Sequence, residues 1–237
     1  MAVELVLMPG LDGSGKMFRP FLEKLPVEFG VTVIAYPGDR HIPFEQVSDY
    51  VCAQLPKNKP VILVGESYSG PVAVALSQRE ELDVRGIVLV ATFARFPATL
   101  LKRLSRLLPL SLLFRLPMPG IFIKHYCFGK WTTPGLLDLV RESVGENKPS
   151  VIAKRARSGA SIDVRDMLAK IEVPCLYIRA SEDRLVPASA MNDFVKNIPQ
   201  LEQAEIHGPH CLMQARPSQC LSAIQYFINN ISSASEA

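Results

Sequence analysis

Val61-Ile62-Leu63-Val64-Gly65-Glu66-Ser67-Tyr68-Ser69-Gly70-Pro71-Val72-Ala73-Val74-Ala75-Leu76 decides the reading of this chain. Its opening residues form an apolar, β-branched run of the kind that makes a buried strand. Its closing Ala/Val/Leu segment has helical spacing. Between them stands Gly65-x-Ser67-x-Ser69, with a small residue two places before and two places after the central serine. A strand that turns at once into a helix crowds the backbone at the turn, and small flanking residues relieve the crowding. The central side chain is then lifted, exposed, at the N-terminus of the helix. An ordinary solvated serine in a strand-to-helix turn satisfies the same five residues, so the remainder of the chain has to decide.

A chain of 237 residues suits one α/β domain or two small ones. Hydrophobic content of 48% and charged content of 21% permit a large core. No apolar run approaches the ~20 residues that span a bilayer. The N-terminus lacks the charged-then-apolar pattern of a secretion signal. We therefore expect a cytoplasmic protein without a membrane span. The five cysteines (Cys52, Cys127, Cys175, Cys211, Cys220) are scattered and show no metal-ligand spacing. That argues for reduced thiols and against a metal site. Residues 95–165 hold 13 Lys/Arg against 4 Asp/Glu, a net of +9 that leaves −6 on the rest. Such asymmetry marks a solvated basic face or a docking site for an acidic partner.

Outward from the decisive stretch, strands are expected at Val3–Met8, Val31–Tyr36, Gly86–Ala91 and Pro174–Ala180, with a short last one at Ala204–Ile206. Helices are expected at about 18–25, 44–55, 188–197 and 218–229. Strands that alternate with helices imply a doubly wound, mostly parallel sheet with helices on both faces. The rhythm breaks between Phe93 and Lys170. Leu100, Leu101, Leu104, Leu107 and Leu108 make one apolar stripe opposite Lys102, Arg103 and Arg106, an amphipathic helix. Pro109, Pro117 and Pro119 cut the adjoining Leu/Phe-rich stretch into short pieces, and further helices are expected near 136–143, 150–157 and 163–170. This insertion reads as a cap over the sheet edge or as a second helical layer of the core; periodicity does not separate the two. The loop Pro9-Gly10-Leu11-Asp12-Gly13-Ser14-Gly15 lacks the Gly-Lys-Ser/Thr of a phosphate loop. Its glycines suit a backbone that must approach a reacting oxygen.

Three polar residues follow the carboxyl ends of three strands: Ser67, Asp183 and His210. In a parallel sheet these loops share one edge, where ligands bind. With this order in view, the chain resembles a compact α/β-hydrolase-fold esterase over nearly its whole length. Pro9-Gly10-Leu11-Asp12-Gly13 stands where that family has a His-Gly-x-x-Gly oxyanion loop, with Pro in place of His. Ser69 stands where the elbow usually has Gly. Ala180-Ser181-Glu182-Asp183-Arg184-Leu185-Val186-Pro187 resembles the family's acid loop, and Gly208-Pro209-His210 with Pro217 its histidine loop. The first strand already carries the oxyanion loop, so about six strands are expected and the usual N-terminal hairpin is absent.

The resemblance implies a core of residues 1–94 and 171–237 and a helical cap of 95–170. A serine hydroxyl is a weak nucleophile at neutral pH and needs a base, which in turn needs an orienting partner. The expected roles are Ser67 as nucleophile, His210 as general base and acid, and Asp183 as its orienting carboxylate. By match to the family, the backbone N–H groups of Leu11 and Tyr68 form the oxyanion hole and border the substrate, with the Tyr68 ring as a further pocket wall. Glu182 and His207 compete with Asp183 and His210, and the loop register favours the latter pair. His41 and His125 read as incidental, and Glu66 as a bond to a neighbouring loop or a polarising group. The apolar cap favours short to medium acyl chains on a small-molecule carboxylic ester. Its basic residues suit an acidic acyl carrier protein or coenzyme A, making a thioesterase or a carrier-linked ester hydrolase of the pimeloyl-carrier methyl-ester type the alternative. A catalytically silent receptor on the same fold is a further one. No cofactor, metal or nucleic acid is implied.

Overall fold

A computed structural model of the chain describes residues 3–56, 59–96, 110–115 and 119–234. Six strands form one parallel sheet: β1 (Glu4–Met8), β2 (Gly30–Val33), β3 (Val61–Glu66), β4 (Val84–Val90), β5 (Cys175–Ala180) and β6 (Leu201–Ile206). Their order is β2-β1-β3-β4-β5-β6. This is the doubly wound arrangement expected, and β1 is the first strand among the described residues.

Both faces of the sheet are covered, which is why the central strands read as unbroken apolar runs. Val6, Met8, Leu63, Ile87, Leu89 and Tyr177 face helices α2 (Phe44–Cys52) and α3 (Gly70–Leu76), while α1 (Arg19–Leu22) lies on the opposite face. On that opposite face Leu5, Leu7, Ile62, Val64, Val88, Val90 and Ile178 meet Phe18, Phe21 and the closing helix through Ile224 and Phe227. The alternation follows from the two-residue period of a strand.

Between β4 and β5 the described residues form five α-helices: α4 (Leu110–Leu113), α5 (Gly120–Ile123), α6 (Pro134–Gly145), α7 (Pro149–Gly159) and α8 (Arg165–Leu168). The expected stripe of Leu100 to Leu108, with Pro109 and Pro117, lies outside the described residues. After β5 come α9 (Asn192–Asn197), α10 (Leu212–Ala215) and α11 (Pro217–Ala234). A third apolar cluster of Met17, Ile123, Phe128, Leu139 and Val140 ties the inserted helices to the core.

The first helix is confined to Arg19–Leu22 and β4 begins at Val84 rather than Gly86; three other boundaries differ from expectation for a local reason. The helix expected near 163–170 is reduced to α8, because Asp163 pairs with Arg95 in an isolated bridge and its carboxylate accepts the Arg165 N–H. β6 begins at Leu201 rather than Ala204; it is an edge strand, half exposed, and its polar first half hides the pattern. β2 ends at Val33 rather than Tyr36, where the chain leaves the sheet and the Tyr36 N–H donates to Gly13 O at 2.7 Å. That contact pulls the β1 loop toward the β2 loop.

The direction of strand addition reverses between β1 and β3, with β2 on one side and β4 to β6 on the other. Such a switch point opens a crevice at the carboxyl edge of the sheet. Met8 pairs with Gly65, so β1 and β3 end level and their loops lie side by side.

Candidate active site

Ser67 sits directly after β3, at the start of a 3₁₀ turn (Ser67–Ser69) that runs into α3. Its φ of 51° lies in the left-handed region, which is rare for a residue with a β-carbon. Such strain persists only where surrounding contacts hold it. Here the Thr92 hydroxyl donates to Ser67 O. Gly65 is required by close approach: a β-carbon there would lie 2.5 Å from Ser69 O and 2.9 Å from Gly70 Cα.

His210 reaches Ser67 from the loop after β6. Its Nε2 lies 2.9 Å from Ser67 Oγ and its Nδ1 lies 2.8 Å from Asp183 Oδ2. Asp183 follows β5, and its other oxygen, Oδ1, accepts the backbone N–H groups of Leu185 and Val186, both at 2.8 Å. Those amides explain the spacing of the acid loop: the carboxylate is locked by its own turn before it meets the histidine. The side chains of His210 and Asp183 are 8% and 5% exposed. Burial works against the imidazolium, but the charge and hydrogen bond of Asp183 outweigh it and hold His210 above its ordinary value.

Glu182 and His207 do not join this line. They face each other on the surface, where Lys130 Nζ lies 2.9 Å from Glu182 Oε1 and 3.0 Å from His207 Nε2. His125 contacts Arg184, also away from Ser67. His41 lies partly buried, and burial and the nearby Arg155 lower its proton affinity.

The β1 loop passes beside the serine: a β-carbon on Gly10 would lie 3.7 Å from Ser67 Cβ. The Leu11 N–H, next in the chain, makes no backbone hydrogen bond among the described residues. Tyr68 opens the first turn after the elbow, where amides lack an intrahelical acceptor. The Tyr68 side chain departs from expectation. It is 4% exposed, with its ring edge-on to Tyr36 and one edge against Gly159. The ring is therefore packed against α7 rather than offered as a pocket wall.

Further residues shape the site: Ser69 and Glu66, which the sequence marks, and Cys127, Cys211 and Arg155, which carry no signal there. The Ser69 hydroxyl donates to Pro9 O and lies 2.6 Å from Tyr36 OH. Glu66 is buried, and desolvation pushes its carboxyl up to about 7 even though Gln214 Nε2 donates to Oε2 at 3.0 Å. Cys127 and Cys211 lie together beside His210, and Cys211 N–H donates to Cys127 O at 3.1 Å. Arg155 reaches from α7 to the carbonyls of the β1 loop. Among the described residues no cluster of three metal-ligating side chains occurs. No described helix is long and apolar enough to cross a membrane.

Chemically, the arrangement can deprotonate a serine hydroxyl as that oxygen attacks an electrophile, and can return the proton to a leaving group. A profile of the alpha/beta hydrolase family matches residues 5–223. Among curated proteins, a pimeloyl-[acyl-carrier protein] methyl ester esterase of Neisseria meningitidis is 26% identical over 78% of this chain and 77% of its own length. A pyrrolizixenacetamide deacetylase of Xenorhabdus hominickii is 24% identical over 94% of this chain and 84% of its own. Among solved structures, the enol-lactonase from Burkholderia xenovorans LB400 superposes with a TM-score of 0.78 at 18% identity. That match covers 97% of this chain and 92% of the other, a likeness of fold.

Proposed function

The chain belongs to the alpha/beta hydrolase family, and from that membership and the geometry of its site we propose a serine hydrolase that cleaves carboxylic esters through an acyl-enzyme on Ser67. The observation that carries the reading is the unbroken line of hydrogen bonds from Asp183 through His210 to Ser67. As Ser67 Oγ attacks the ester carbonyl, His210 Nε2 takes its proton. Asp183 holds the Nδ1–H tautomer and stabilises the imidazolium. The carbonyl oxygen becomes an oxyanion and receives the N–H groups of Leu11 and Tyr68. Collapse of the tetrahedral intermediate expels the alcohol, which takes the proton from His210. Water then repeats the sequence on the acyl-enzyme and releases the acid.

Residues 1–94 and 171–237 form the catalytic core in this reading, and 95–170 the cap over it. Short to medium acyl chains are the proposed substrates. The test is the initial rate on p-nitrophenyl esters of increasing acyl length, with Ser67→Ala as the paired control. A maximum at short chains that disappears in the variant supports the reading. No rate at any length from folded protein overturns it and leaves the silent receptor.

A second reading is favoured by the Neisseria relative and by the exposed Lys124, Lys148 and Lys154 of the inserted segment. It is an ester or thioester hydrolase whose acyl group arrives on an acidic carrier protein or on coenzyme A. Its rate on a carrier-linked ester falls with added salt, since exposed charges are screened over about 10 Å at 0.1 M. A salt-independent rate removes its support.

A further inference from the structure

Arg155 is a charged residue only 4% exposed, and no carboxylate forms an ion pair with it among the described residues. Burying a guanidinium is costly unless its donors are satisfied. Its donors are spent on three backbone carbonyls and one side-chain amide. Nη1 faces Leu11 O at 3.0 Å, Asp12 O at 3.0 Å and Asn147 Oδ1 at 3.1 Å, while Nη2 donates to Pro37 O at 3.0 Å. Asn147 adds a bond of 2.7 Å from Nδ2 to Asp12 O. Gly13 leaves the space: at its φ of 71°, a β-carbon would lie 2.3 Å from Arg155 Nη1.

Two neighbouring contacts give this cradle a purpose. The peptide Gly10–Leu11, whose N–H is the proposed oxyanion donor and whose Gly10 lies against Ser67, is bracketed. The carbonyl before it, Pro9 O, accepts from Ser69, and the carbonyl after it, Leu11 O, accepts from Arg155. One turn further along α7, Gly159 packs on the Tyr68 ring. A single inserted helix thus holds both residues whose amides face a developing oxyanion.

We propose that Arg155 is a positioning residue for catalysis, fixing the Leu11 amide through the β1 loop, and that α7 is part of the oxyanion apparatus rather than a detachable cover. The proposal rests on the reading of Ser67 as an acyl-forming nucleophile. Arg155 touches no reacting atom; it acts by keeping a donor in place. An ammonium group on a lysine stem cannot reproduce a planar fork that spans four acceptors.

The test is Arg155→Lys, with competent sites counted by a fluorophosphonate titration so that turnover is expressed per competent site. A displacement of about 1 Å at a catalytic group costs up to 10²-fold. The expected result is a fall in kcat per site of about 10- to 100-fold, with KM within about twofold of wild type. A trifluoromethyl ketone, whose hemiketal on Ser67 carries an oxyanion, loses affinity by the same factor as kcat/KM. Unchanged turnover per site, even with fewer competent sites, assigns Arg155 to folding alone and overturns the proposal, as does a loss confined to KM. Should Arg155→Lys fail to fold, Asn147→Ala removes a partner of the same cradle. A fall in kcat at constant KM is expected there, and no fall overturns the proposal. Wild-type protein that neither hydrolyses esters nor takes the probe at Ser67 instead defeats the reading beneath it.

Discussion

The Ser69 hydroxyl donates to the carbonyl oxygen of Pro9. This bond joins the end of the elbow to the start of the β1 loop, two segments that any oxyanion hole at Ser67 must hold in register. Tyr36 completes the arrangement, its hydroxyl 2.6 Å from Ser69 Oγ. Because the one Ser69 proton is committed to Pro9, Tyr36 donates. The serine that replaces the usual small glycine of the elbow therefore has a task that glycine could not perform.

Ser69→Ala leaves Pro9 O and Tyr36 OH without that partner in a fully buried position. A stability loss of about 1–3 kcal/mol is expected, the ordinary cost of orphaning buried polar groups. Urea unfolding measures it. Turnover on a p-nitrophenyl ester falls severalfold with KM little changed.

His210 must be neutral to accept the Ser67 proton. Its proton affinity is raised above the ordinary 6.5, with Asp183 overcoming the effect of burial. Activity is therefore present at high pH and lost as pH falls, and the loss begins above 6.5. A profile of kcat/KM from pH 5 to 9 has its acid limb there. Asp183→Asn lowers kcat by about 10³–10⁴-fold and moves the limb to lower pH. A wild-type limb below 6.5 contradicts the assignment.

Glu66 makes the opposite kind of contribution. Burial raises its carboxyl from 4.5 to about 7 in the folded protein. The unfolded chain ionises first, so wild type loses stability as pH rises across that window, and the loss is complete above it. Glu66→Gln escapes the loss. The variant gains on wild type by up to about 3 kcal/mol between pH 4 and pH 8, read from urea unfolding at both pH values. An unchanged difference between the two pH values contradicts the shift.

Cys127 is the thiol whose proton affinity is lowered. The contact with Cys211 lowers it, while burial raises that of Cys175 and Cys220 and the Cys127 contact raises that of Cys211. Cys52 is also raised, chiefly by burial. Iodoacetamide at neutral pH labels Cys127 first, as peptide mapping reads. Ester hydrolysis declines with that label because the thiol lies beside His210.

Ser67, Asp183 and His210 are legible in the sequence because each stands in a loop whose backbone leaves local marks. Gly65 answers a close approach of Ser69 O, and the Leu185 and Val186 amides impose the spacing after Asp183. Each strand of the central sheet is legible through its two buried faces, whereas the edge strands β2 and β6 blur at their ends. Arg155 leaves no such mark. In the sequence it is one of 13 basic residues in a segment whose charge reads as a solvated face, and only the tertiary contact of α7 with the β1 loop shows it buried. Tyr68 is placed after Ser67 by the sequence itself, but the direction of its ring depends on Gly159, far along the chain. The pairing of Cys127 with Cys211 is likewise a product of the fold, and the scatter of cysteines conceals it.

The most direct test of Ser67 as the nucleophile is the site of covalent labelling by a fluorophosphonate, mapped by peptide mass spectrometry on wild type and His210→Ala. The account predicts a single adduct on Ser67 in wild type and a labelling rate reduced by orders of magnitude in the variant. An adduct on another serine, or none on folded wild-type protein, contradicts it.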